Sequence, residues 1–148
     1  MEFRHNRLYK ADDSYRITSI GGSDLIAYFW VALGGILGAC ARYALARFVA
    51  KVAGTAFPYG TLLINLSGSL LLGFFMIWSS ERAIVDNRLR LFLAIGFCGA
   101  YTTFSSFAFE SFAYFEQGHW MLFAANVLSN NVLCLLAVIV GAVLARSL

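Results

Sequence analysis

A chain of 148 residues that is 60% hydrophobic and 13% charged, with a mean hydropathy of +0.73, carries too much apolar surface for a soluble domain. Such domains run nearer half apolar and a quarter charged. The composition is that of a polytopic membrane protein, and its net charge of +3 comes from scattered basic residues that offer nucleic acid no patch to bind.

Residues 1–24 are polar and charged, with no apolar core of signal-peptide length before Leu25. They read as a cytosolic, disordered extension rather than a cleaved leader. A single four-helix transmembrane domain follows over residues 25–148. Its spans, each needing about 20 mostly apolar residues, run from Leu25 to Phe48, Tyr59 to Ser79, Leu89 to Phe115 and Trp120 to Leu144, with short connections.

The first span holds Gly34, Gly35 and Gly38, a GxxxG pattern suited to close helix packing. It also holds Arg42 well inside the apolar register. That arginine either snorkels to the nearer interface or places a positive field at the mouth of an anion path. On the second span Thr61, Asn65, Gly68 and Leu72 share one face at i, i+4, i+7, i+11 spacing. Ser69 and Gly73 form another small-xxx-small pair there.

The third span reads GFCGAYTTFSSF over residues 96–107, where two glycines and four hydroxyl residues interrupt the apolar run. The glycines point to a broken helix. Backbone groups freed by a break in hydrocarbon cost several kcal/mol unless protein, water or an ion satisfies them. Phe104, Phe107 and Glu110 step along one side, and Thr103 and Ser106 along the next. Glu110 is either a partner of Arg42 or a helix-end cap. On the fourth span Asn126, Asn130 and Cys134 form a stripe with Ser129 beside it, while Asn131 lies roughly 100° round. Such residues face a partner helix or an aqueous path; as interhelical glue each contributes about 0.6 to 2 kcal/mol. The three cysteines, Cys40, Cys98 and Cys134, are far apart and odd in number, and read as packing residues rather than a disulfide or metal set.

With four spans, both termini and the loop near residues 81–87 share a side. That side has eight basic residues (Arg4, Arg7, Lys10, Arg16, Arg82, Arg88, Arg90, Arg146) against three (Arg42, Arg47, Lys51), which favours termini inside. Without the extension the count falls to four against three, a balance that would permit insertion both ways. The spans offer amide hydrogens, hydroxyls and the positive edges of phenyl rings, with carboxylates nearly absent. That inventory favours a small anion, although it does not name one.

The residues then carry a resemblance. GGILGACARY (residues 34–43), YGTLLINLSGSLLLG (residues 59–73) and GFCGAYTTFSSFAFE (residues 96–110), followed by the looser NVLSNNVLCLLAVIVG, resemble the Fluc/CrcB family of fluoride channels in order and spacing. The resemblance covers the chain from about Phe29 to Leu144. It implies an antiparallel, dual-topology homodimer with two fluoride pores, each built from both subunits. By position it assigns Asn65 to the pore and the ring edges of Phe104 and Phe107 to fluoride. It puts the backbone carbonyls of Gly99 and Thr102 on a structural sodium ion at the dimer centre. Thr61, Thr103, Ser106 and Arg42 fall in the same neighbourhood. Family members usually carry a hydroxyl track on the fourth span, where this chain has Asn126, Ser129, Asn130 and Cys134.

The implied function is a passive, fluoride-selective channel in the cell inner membrane that lets the cell expel fluoride, with the protein itself and membrane lipid as partners. A proton-coupled small multidrug exporter would want a carboxylate deep in the first span, and none lies between Leu25 and Val49. A noncatalytic membrane subunit would have little reason to break its third helix with glycines. An enzyme finds no support, since His5 and His119 lie outside the spans.

Overall fold

The computed structural model describes residues 22–81 and 85–148. The polar extension expected over residues 1–24 lies outside the described residues up to residue 21. Within the described part, all regular structure is helical, and four spans are long and apolar enough to cross a membrane: Asp24–Ala53, Tyr59–Glu81, Asn87–Glu116 and Trp120–Arg146. At 1.5 Å per residue, spans of 23 to 30 residues exceed the roughly 30 Å of a bilayer core.

Helix α1 (Gly22–Ala53) starts inside the expected extension and runs past Phe48. Asp24 in its first turn and Lys51 in its last complement the helix dipole and extend it beyond the apolar run. Gly54, at φ +75°, ends it in the left-handed conformation, its N–H on the Ala50 carbonyl at 3.1 Å. Helix α2 (Tyr59–Glu81) follows Pro58, whose carbonyl takes the Leu62 N–H.

The third span is not one helix. It comprises α3 (Asn87–Arg90), capped by the Asp86 carboxylate on the Arg88 N–H, a π-helical stretch over Leu91–Cys98, and α4 (Gly99–Tyr101). Two extended residues separate these from α5 (Phe104–Glu116). Gly118, at φ +72°, then turns the chain into α6 (Trp120–Arg146).

Close backbone approach at glycines organises the packing. A Cβ at Gly34 would collide with the Phe92 carbonyl, one at Gly38 with the Phe97 carbonyl, and one at Gly96 would sit 2.6 Å from the Val31 carbonyl. These three seat α1 on the π-helical stretch. A Cβ at Gly35 would make only ordinary contacts at 4.0 Å, so the close-packing pair of the first span is Gly34 with Gly38. Gly73 against Val138 and Gly141 against Leu70 do the same for α2 and α6, the most extensive pairing in the fold. Small residues serve here because apolar association within lipid gains from packing rather than from water release. Elsewhere the outer faces are apolar, with Ile36, Leu128 and Leu135 all more than 60% exposed.

Side chains also fix the two ends. Arg146 pairs with Glu81 at 3.6 Å, bringing the end of α6 beside the end of α2. At the opposite end the Tyr114 hydroxyl donates to the Ala56 carbonyl at 2.8 Å.

Candidate functional site

The break in the third span falls at Thr102 (φ −75°, ψ 158°) and Thr103 (φ −148°, ψ 113°). The glycines do not make it: Gly99 is helical at φ −62°, ψ −37°, and Gly96 serves packing against α1. Two β-branched residues adopt extended backbone readily, and Thr103 then caps α5 by accepting the Ser106 N–H on Oγ1 at 3.2 Å.

Asn65 on α2 fills the gap the break opens. Its Oδ1 accepts the Thr103 N–H at 2.8 Å, and its Nδ2 donates to the Thr103 carbonyl at 3.1 Å. In an unbroken helix the Thr103 N–H would bond the Gly99 carbonyl and the Ser106 N–H the Thr102 carbonyl. Both donors are diverted, one to Asn65 and one to the Thr103 hydroxyl. The carbonyls of Gly99 and Thr102 are thereby released from the helix ladder.

From Asn65 the polar contacts continue to the fourth span. Asn65 Nδ2 also donates to Asn130 Oδ1 at 3.1 Å, and Asn130 Nδ2 donates to Asn126 at its Oδ1 (3.0 Å) and its carbonyl (3.2 Å). Asn126 Nδ2 donates to Ser111 Oγ at 2.9 Å. The amide nitrogens of Asn65 and Asn130 are thus engaged with protein acceptors.

A cavity of about 270 Å³ beside the break gathers Asn65, Thr102, Thr103, Phe104, Phe107 and Asn130. The two rings lie 5.5 Å apart at 62°, edge to face. Phe107 is buried, whereas Phe104 is 77% exposed on the single chain. Ser106 is exposed and accepts from Thr103 Oγ1 at 3.0 Å.

Other expected site residues lie elsewhere. Thr61 borders a second cavity, about 330 Å³, where its hydroxyl donates to Glu110 Oε1 at 2.6 Å. The other Glu110 oxygen is buried without a hydrogen-bond partner. No ion pair joins Arg42 to Glu110 among the described residues; Arg42 is half-buried on α1. Asn126 has no exposed surface and borders neither cavity. Gly99 is exposed.

Two contacts escape a reading by motif. Ser111 receives the Asn126 amide, a position signalled only by its place one turn after Phe107. Tyr101, just before the break, shares a 2.8 Å hydrogen bond with Ser67, which is off the Thr61–Asn65 face. No group of three or more His, Cys, Asp or Glu residues that could hold a metal occurs among the described residues.

The electrostatics of the break are polarised. The C-terminal end of α4 carries the negative end of its peptide dipoles, and the N-terminal end of the 13-residue α5 the positive end. Discontinuous transmembrane helices commonly place such ends against ions of opposite sign.

A family model described as CrcB-like protein, Camphor Resistance, matches residues 29–142, from within the first span to within the fourth. Similar proteins include one from Koribacter versatilis (strain Ellin345), 63% identical over 121 residues, covering 82% of this chain and 96% of that protein. Another, from Legionella pneumophila (strain Lens), is 50% identical, covering 80% of this chain and 89% of its own. A third, from Methylocella silvestris, is 43% identical with 80% and 92% covered. Each is named a fluoride-specific ion channel, FluC. This chain, with its broken third span and its glycine-packed helices, belongs to the CrcB-like family, a family of membrane ion channels and not an enzyme class.

Proposed function

We propose that the protein is a passive, fluoride-selective channel that exports fluoride across the cell inner membrane. The observation that carries this reading is the cavity at the break, where the rings of Phe104 and Phe107 meet Asn65, Thr103 and Asn130 at the N-terminal end of α5. Phenyl edges and the positive end of a helix favour an anion. Ser106, exposed beside the ring pair, extends the polar surface, and Thr61 lines the second cavity with Glu110. Asn126 backs the wall from the buried side through Asn130, and Arg42 adds positive charge near one mouth.

The working unit is an antiparallel homodimer of dual topology. Phe104 is 77% exposed, with Ser105, Ser106 and Asn131 also exposed in the middle of their spans. Polar groups at that depth are costly against lipid, and a second copy would cover them and complete two pores. A structural sodium ion at the dimer centre fits the released carbonyls of Gly99 and Thr102, since hard cations prefer oxygen ligands. It would neutralise the negative end of α4.

Hydrogen fluoride enters from acid surroundings and ionises in a near-neutral cytosol, trapping the anion. An inside-negative potential then drives fluoride out with about 2.3 kcal/mol per charge per 100 mV. Purified protein in liposomes tests the reading: electrogenic fluoride efflux is expected, with chloride excluded.

A further inference from the structure

One hydrogen-bonded path leaves the third span at Thr103 and returns to it at Phe107. The Thr103 N–H donates to Asn65 Oδ1 (2.8 Å), Asn65 Nδ2 to Asn130 Oδ1 (3.1 Å), and Asn130 Nδ2 to Asn126 Oδ1 (3.0 Å). Asn126 Nδ2 donates to Ser111 Oγ (2.9 Å), and Ser111 Oγ to the Phe107 carbonyl (2.8 Å). The path crosses α2 and α6 and closes on one turn of α5.

Its direction is dictated at both ends. A backbone N–H only donates and a carbonyl only accepts. Asn65 must therefore present its oxygen to Thr103 and its nitrogen to Asn130, and each later amide inherits the same sense. Turning any one amide over would set oxygen against oxygen or nitrogen against nitrogen.

We propose that Asn126 and Ser111 are positioning residues for the phenyl rings, acting through this loop and not by touching the transported ion. Asn126 is wholly buried and borders neither of the two cavities, and its hydrogen bonds reach the ring pair through its neighbours. The break at Thr102 and Thr103 cuts the turn bearing Phe104 and Phe107 loose from the helix before it. The ladder of α4 then no longer sets the rotation of α5, whose first turn carries both rings. The loop holds that turn at both ends, at Thr103 by Asn65 and at Phe107 by Ser111, and ties it to two other helices. Ser111 is the vulnerable link, because a single hydroxyl both accepts from Asn126 and donates to Phe107.

The inference rests on the fluoride-channel reading for its effect on conduction, and single-channel recording separates it from a merely structural role. Loss of folded protein reduces the number of channels; misplaced rings reduce the current through each. Ser111→Ala and Asn126→Leu are each expected to lower unitary fluoride current about five- to tenfold. Ser111→Thr restores it, and the double variant falls no further than the lower single one. Unitary currents at the wild-type level in both single variants, with only fewer channels, would overturn the proposal.

A second readout does not need conduction. With para-fluorophenylalanine at position 107, the Ser111→Ala change is expected to shift the fluorine NMR signal, leaving a label at the exposed Phe109 unmoved. An unchanged signal at position 107 overturns the proposal. A wild-type protein that passes no fluoride contradicts the channel reading alone, and this spectrum still decides the placement of the ring.

Discussion

The side-chain amide of Asn65 closes on both backbone groups of Thr103, donating to its carbonyl at 3.1 Å and accepting its N–H at 2.8 Å. A residue 38 positions earlier in sequence thus takes over the hydrogen bonds that a helix would have made. Asn65→Leu strands both Thr103 groups, and a buried unsatisfied polar group costs about 1–3 kcal/mol. Stability to denaturant in detergent should fall by at least about 2 kcal/mol on that basis. An unchanged denaturation midpoint would show that Asn65 does not hold the break.

The glycines of the first span divide into two kinds. Gly38→Ala pushes a methyl group into the Phe97 carbonyl, which is backbone and cannot swing aside. Overpacking of this sort costs about 1–3 kcal/mol. Gly35→Ala meets only the Ala100 Cβ and the Gly96 carbonyl at 4.0 Å, so a change within about 0.5 kcal/mol is expected. Thermal unfolding of the two variants side by side checks the contrast; equal losses would refute it.

Phe104→Ile and Phe107→Ile each keep apolar volume and remove the ring edge. Each is expected to reduce fluoride flux at least tenfold, about 1.4 kcal/mol of lost stabilisation, while size-exclusion chromatography still shows the dimer. Normal flux in both variants would take the rings off the path.

Exchange of sodium for N-methylglucamine during purification tests the role given to Gly99 and Thr102. A ligand at a hundred times its Kd stabilises by about 2.7 kcal/mol, so removal of sodium should lower thermal stability and shift the dimer towards monomer. Identical behaviour in the two cations would remove the ion from the account.

The spans were legible because their length and apolar content are set by the bilayer. The tract over residues 96–107 was legible as a polar interruption, and its glycines pointed to a break. Which residues break was not legible. Gly96 and Gly99 look like breakers in sequence, yet Gly96 is helical to let α1 approach, and the extended residues are Thr102 and Thr103. The partner that makes the extended conformation affordable sits on another helix, at Asn65. Helix α1 also outran its expected bounds, since Asp24 and Lys51 stabilise its ends without adding apolar signal. Ser111 carried no motif and gains its place only from the fold. Glu110 had two candidate roles in sequence and takes a third, accepting from Thr61.

Electrogenic fluoride efflux from liposomes reconstituted with the purified protein tests the central claim most directly. With potassium-loaded vesicles and valinomycin to balance charge, rapid fluoride release is predicted, with chloride retained. Release no faster than from protein-free vesicles, or equal passage of chloride, would contradict the account.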